Sequence, residues 1–145
     1  MMNILVKDVD IGAEYENIIY DFWINALLAS GKHIKIFDFK SFDVRKYIGT
    51  KIDAVILAGF LENISINTTT NSTEFFGEFV GEYEIPAWFT NLREDVKYKK
   101  WLGIKTQDGI FLLSPNEIET VPVVVGENLR FNVGRFDLLG FKNAD

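Results

Sequence analysis

Three aspartates carry the chemistry this sequence could perform. Asp8 and Asp10 follow the apolar run Asn3-Ile-Leu-Val6, and Asp38 follows His33-Ile-Lys-Ile-Phe37. Carboxylates brought together hold a hard cation such as magnesium through oxygen ligands. In a parallel sheet, ligands gather beyond the carboxyl ends of the strands. On that reading Asp8, Asp10 and Asp38 form a metal site. Gly12, free to take a positive φ, and Gly59, which ends a third apolar run, complete a ligand-binding edge with them. The plainer alternative makes Asp8 and Asp10 loop residues and a helix cap. Asp38 also stands where a dinucleotide-binding fold places its ribose-binding acid. However, only Gly12 follows the first run, without G-x-G-x-x-G, and the chain has no P-loop. Asp38-Phe-Lys40 has the spacing of a nuclease D-x-K element, but no acid in a preceding strand is placed to complete it. His33 reads as a strand-opening residue.

The inventory closes off other chemistries. The chain has 145 residues and no cysteine, which removes disulfides, thiolate catalysis and Cys-ligated metals together. The single histidine, His33, excludes any site built from several imidazoles. The net charge of -6 disfavours nucleic acid as a partner, because an acidic chain repels phosphate backbones. The most basic stretch, Arg93 to Lys100, is diluted by Glu94 and Asp95 and reads as a solvated surface segment. No apolar run reaches the roughly 18 residues a membrane span needs. The N-terminus lacks the layout of a signal peptide. The expectation is a cytoplasmic protein with no membrane partner.

The elements that must position the aspartates read as α/β. Asn3 to Val6, His33 to Phe37 and Ala54 to Ala58 are the strands. The last lies in the run Lys51-Ile-Asp-Ala-Val-Ile-Leu-Ala-Gly-Phe60, whose unbroken apolar character suits a strand covered on both faces. Between the first two, Tyr15, Ile18, Ile19, Phe22, Trp23, Ala26 and Leu27 recur at i, i+3, i+4 and i+7, which predicts a helix over Ala13 to Ser30 capped by Gly31. Ser41 caps a second, short helix carrying Val44, Tyr47 and Ile48. The links between elements are short, so the strands are expected to be parallel. Leu61 to Thr73 is a polar loop whose sequons at Asn63, Asn67 and Asn71 follow from its composition. Glu74 to Glu84 fits a helix, with Gly77 and Gly81 opposing it. A bent or bulged strand, in which the glycines admit another backbone, is the alternative. Pro86 to Thr90 is a fourth strand. Hairpins then turn at Gln107-Asp108-Gly109 and Gly126-Glu127-Asn128, and Asp137 to Phe141 adds an edge strand.

Ile4-Leu-Val6, the long helix, Ala29-Ser-Gly-Lys-His33 and Lys51 to Gly59 together resemble the opening of the class I glutamine-amidotransferase-like superfamily, over about the first ninety residues. The resemblance implies a flavodoxin-like domain. Active members place a cysteine nucleophile on a tight turn after a strand, but here the corresponding place reads Thr90-Asn-Leu-Arg93. The resemblance therefore implies a non-catalytic relative. Asp8-Val-Asp10 is also similar to the opening of haloacid-dehalogenase-like phosphatases, in which the first aspartate is the nucleophile and the second the acid/base. Ile11-Gly12 departs from that pattern, and no later acidic motif follows.

The expected architecture is a single domain over residues 1–145. Residues 1–90 form a flavodoxin-like parallel sheet of three to four strands flanked by helices, and residues 91–145 an antiparallel β-hairpin extension. The expected function is a non-catalytic interaction or structural module without cofactor. It joins a protein partner or a second copy through second-half aromatics such as Phe75, Phe76, Trp88, Phe111 and Phe131. The alternative is a metal-dependent enzyme or small-ligand sensor, with magnesium at the acidic edge.

Overall fold

From Phe22 the side chains alternate with period two. Phe22, Ile24, Ala26 and Leu28 are buried, and Trp23, Asn25 and Leu27 lie between them partly exposed. That is a strand with one face on a core, and the same rhythm runs through most of the chain. The structure, a computed structural model, describes residues 1–39, 42–65, 74–89, 91–119 and 122–143. Its strands are β1 (Met2–Ile11), β2 (Glu14–Tyr15), β3 (Ile18–Ile19), β4 (Phe22–Leu28), β5 (His33–Asp38), β6 (Lys51–Ser65), β7 (Phe75–Tyr83), β8 (Trp101–Thr106), β9 (Gly109–Leu113) and β10 (Asn128–Asn143). Helical structure among the described residues is limited to three 3-10 turns, Val44–Tyr47, Glu94–Tyr98 and Pro115–Ile118.

The strands close into two fused rings. β1 pairs with β4, β4 with β5, β5 with β10, β10 with β6, and β6 returns to β1. Only the β5–β10 contact in this ring is parallel. This closed five-stranded arrangement is a barrel of the OB type. The second ring runs from β6 to β9, β8, β7 and β10, and so back to β6. β6 and β10, with 15 and 16 residues, are long enough to serve both rings. One core fills both: Ile4, Ile24, Ile36 and Ile56 in the first, Ile104, Phe111 and Phe131 in the second. Phe136 joins them, 5.1 Å from Phe111 and 5.4 Å from Phe75 between ring centroids.

The α/β expectation, and the flavodoxin-like and amidotransferase-like kinship drawn from it, are overturned. β1 is antiparallel to both β4 and β6, so the apolar runs do not form a parallel sheet. The long helix over Ala13 to Ser30 is instead a hairpin leading into β4, turned at Glu16 and Asn17, whose φ values are 50° and 65°. Its β-branched and aromatic residues prefer an extended chain, and β4 buries alternate residues rather than a helical stripe. Gly31 does take φ +92°, but in the β4–β5 turn. Ser41 lies outside the described residues; the 3-10 turn at Val44–Tyr47 is capped by the Asp43 side chain.

Phe75–Tyr83 is a strand with a bulge near Gly81. At Gly77 an added Cβ would meet the Lys105 carbonyl at 2.8 Å, so the glycine serves close strand approach. Pro86 to Phe89 is a turn rather than a fourth strand, and Thr90 is outside the described residues. β8 and β9 do turn at Gln107-Asp108-Gly109. Pro122 to Val125 pairs with nothing as a strand, and Asp137 to Phe141 lies inside central β10 rather than at an edge. Residues 61–65 extend β6, whereas Asn67 and Asn71 lie outside the described residues.

Candidate functional site

The acidic edge does not assemble. Asp8 and Asp10 point outward from β1, where Asp8 accepts from the Val9 amide at 2.9 Å and Asp10 from Asn25 Nδ2 at 2.9 Å. Asp38 points inward from β5; it is wholly buried, and its carboxylate accepts from the Asp43 amide at 2.9 Å. The sheet therefore separates Asp38 from the other two. Among the described residues no group of three or more His, Cys, Asp or Glu could hold a metal ion. Gly12 is not at positive φ; it packs against the Asp21 carboxylate, which accepts from the Ala13 amide at 2.7 Å. Gly59 pairs with Arg135 across β6 and β10 without needing its lack of a side chain. His33 opens β5 at the surface, and Lys40, the other end of the D-x-K spacing, is outside the described residues.

Two other features emerge from the topology. The first is a cleft of about 770 Å³ between the end of β7, the start of β8 and the segment 84–100 that joins them. Its apolar wall is part of a second core cluster that includes Phe89, Leu92, Val96 and Trp101. The segment is laid down by backbone pairing. The Arg93 amide donates to Leu139 O at 2.9 Å, and the Phe141 amide to Asn91 O at 3.2 Å. Gly140 makes this possible: a Cβ there would meet Asn91 O at 2.7 Å. Val96 is buried as the anchor of its 3-10 turn, and its carbonyl accepts from Trp101 Nε1 at 3.2 Å.

The cleft rim is charged. Lys97, Lys99 and Lys100 contribute from one segment, and Glu82 and Glu84 from the end of β7 and beyond it. Lys97 pairs with Glu94 at 3.3 Å and Lys99 with Asp95 at 3.7 Å. Both pairs are exposed, so each contributes little and can be exchanged for another anion. The arrangement suits an amphipathic molecule: an apolar body against Ile85, Pro86 and Leu92, above the buried Phe89 and Trp101, and an ionised group at the lysine rim.

The second feature is an aromatic stripe on the outer face of the first ring. Trp23 and Phe37 lie on neighbouring strands with centroids 4.8 Å apart, and Phe39 continues the row 6.2 Å from Phe37. The Arg135 guanidinium lies over both Phe37 and Phe60, at 5.1 and 5.4 Å. It is also paired with Asp137 at 3.0 Å. Burial pushes the Asp137 carboxyl above its ordinary range, opposed by Arg135 and, from the cleft segment, Arg93.

Neither feature is legible in the sequence. Arg93 to Lys100 reads as solvated because its charges outnumber its apolar residues, and the buried Val96 is a single signal within it. The second-half aromatics expected at an interface are largely internal: Phe79, Phe89, Trp101, Phe111, Phe131, Phe136 and Phe141 are all buried. Phe76 and Trp88 remain exposed. The most exposed rings of the outer face, Phe39 and Phe60 at 64% and 63%, come from the first half.

No helix among the described residues is long and apolar enough to cross a membrane. No family model matches the chain, and no curated protein does. One solved structure, of the cytoplasmic molybdate-binding protein ModG with molybdate bound, aligns with a TM-score of 0.48 at 12% identity, covering 96% of this chain and 94% of that chain.

Proposed function

We propose that the protein is a small-ligand-binding module whose ligand is an amphipathic anion seated in the cleft beside Trp101. The observation that carries this reading is the cleft lined by Ile85, Pro86, Ala87 and Leu92, floored by the buried Phe89, Val96 and Trp101, beneath a rim holding three lysines. Its volume, about 770 Å³, falls in the range of pockets that enclose a drug-sized molecule. Apolar contact supplies the affinity, and the exposed lysines supply orientation and the choice of charge. Of the three, Lys100 has no ion pair among the described residues, so it is the first available to a ligand anion. Binding here replaces the acidic edge as the small-ligand reading, because that edge is split across the sheet.

The test uses anilinonaphthalene sulfonate, a fused-ring body with one anionic group. Fluorescence titration of the intact protein is expected to give one saturable site. Ala87→Trp, which fills the cleft from its lining, abolishes that site, and Lys99→Glu with Lys100→Glu weakens it several-fold. A signal that does not saturate, or one that ignores Ala87→Trp, contradicts the reading.

A further inference from the structure

The rim of the cleft carries charges that an anionic ligand alone does not use. The Tyr83–Trp101 pair ends the β7–β8 ladder, and beyond it the chain enters the segment 84–100 around the mouth of the cleft. Glu82 and Glu84 line the β7 side. Lys100, which precedes Trp101, lines the other side with Lys97 and Lys99, which come from the 3-10 turn Glu94–Tyr98 and its cap. All five charged residues are exposed. The two sets do not pair across the mouth. Lys97 and Lys99 pair with Glu94 and Asp95 of their own segment. Among the described residues Glu82, Glu84 and Lys100 make no ion pair. The cleft thus holds an acidic wall apart from a basic one, above a shared apolar floor.

We propose that the ligand of this cleft is an amphipathic zwitterion, with an apolar body above the buried Phe89 and Trp101, its anionic group at Lys100 and a cationic group at Glu82 and Glu84. The inference rests on the cleft being a small-ligand site and names the class of ligand it takes. An anion held at the lysines feels the two carboxylates across the cleft, and that repulsion grows as the ligand displaces the screening water. A molecule with negative charge alone is therefore penalised by the β7 wall, and one with positive charge alone by the lysines. A ligand carrying both groups is attracted to both walls. The acidic wall in this way sets specificity by repelling the wrong ligand as well as attracting the right one. Exposed charges of this kind give modest energies, so they choose among ligands whose affinity comes from apolar contact.

Three peptides with one apolar body test it: free tryptophylglycine, its N-acetyl form with only the carboxylate, and its C-terminal amide with only the ammonium. At about pH 6.5, below the α-amino range of roughly 7.7–8.0, the free peptide is a zwitterion. Each peptide competes with anilinonaphthalene sulfonate on the full chain. The free peptide is expected to displace the dye at a several-fold lower concentration than either blocked form. Glu82→Gln with Glu84→Gln removes its advantage over the N-acetyl form and tightens binding of the dye itself, opposite changes that damage to the fold would not produce. Lys100→Glu is the second variant: it weakens the free and N-acetyl peptides and strengthens the amide. Displacement by the N-acetyl form equal to or better than by the free peptide, or no displacement by the free peptide while the dye binds, would overturn the inference and leave the anion reading standing. A dye that finds no saturable site would remove that reading and the inference with it.

Discussion

Glu117 holds Phe60 in place. Its two carboxylate oxygens accept from the Phe60 and Leu61 amides at 2.9 and 3.0 Å. Phe60 is in the left-handed region at φ 53°, a conformation a phenylalanine rarely adopts unaided. A 3-10 turn following β9, in the second ring, thus fixes a left-handed residue of β6 that presents an aromatic ring on the surface. Glu117→Ala is expected to cost about 1–3 kcal/mol by leaving two amides without their carboxylate. It should leave sulfonate-dye binding at the cleft unchanged. Chemical denaturation and dye titration read the two effects; unchanged stability would count against the positioning role.

Asp108 couples the rings at another point. Its carboxylate accepts from the Ser30 amide at 2.7 Å and from Ser30 Oγ at 2.8 Å, tying the β8–β9 turn to the β4–β5 turn. Beside it, Lys32 donates to Glu74 O at 2.5 Å and lies 3.9 Å from the Phe75 centroid. Burial lowers the Lys32 pKa from its ordinary value, with Asp108 opposing the shift. A double-mutant cycle on Ser30→Ala and Asp108→Ala is expected to show a coupling of about 0.5–1.5 kcal/mol. Strict additivity would mean the contact carries no stability.

Gly140 admits the cleft wall. Replacing it with alanine forces Asn91 and Leu92 away from β10, and overpacking of this kind costs about 1–3 kcal/mol. Gly140→Ala should therefore lose dye binding in a protein that still unfolds cooperatively. Binding equal to wild type would show that segment 91–93 does not form the wall.

Asp137 gives a pH dependence with a definite sign. Its folded-state pKa is raised, so the native state holds this proton over a range where the unfolded chain, near its ordinary 3.8, has released it. Stability contributed by the protonated form is present below that ordinary value and is lost as pH rises through the folded pKa. Asp137→Asn keeps the shape without the charge. Its stability relative to wild type should therefore rise with pH from about the ordinary aspartate value upward and then level off. Denaturant titrations at several pH values check this; a difference that falls as pH rises would contradict the assignment.

Parts of this fold are legible in the sequence, for physical reasons. Asn3 to Val6, His33 to Phe37 and Lys51 to Phe60 are strands because short β-branched apolar runs leave few other choices. Gln107-Asp108-Gly109 is a turn because its residues suit one. The helix expected over Ala13 to Ser30 fails because paired apolar residues such as Ile18-Ile19 and Phe22-Trp23 fit periods of 3.6 and 2 alike. Asn17, at φ 65° in the hairpin tip, is the residue that breaks the helical reading. Strand direction is set by partners far away in sequence, as when β10 slots between β5 and β6, and local patterns do not encode it. The acidic edge fails although β1 and β5 end at the same side of β4, because Asp38 faces inward whereas Asp8 and Asp10 face outward, and the sequence pattern does not fix that alternation. The cleft is not legible in the sequence because its wall is drawn from scattered residues of a charged connector.

The three tryptophans provide the most direct test of ligand binding at the cleft. Trp101 lines it, Trp88 stacks on its lining residue Phe89 at 4.3 Å, and Trp23 lies on the outer face of the first ring. Indole signals in a proton–nitrogen correlation spectrum, followed during titration with anilinonaphthalene sulfonate, report each location separately. Saturable shifts of the Trp101 indole, with Trp23 unmoved and the Trp101 shift abolished by Ala87→Trp, are the predicted result. Shifts confined to Trp23, or a Trp101 signal that stays fixed while the dye binds, would contradict it.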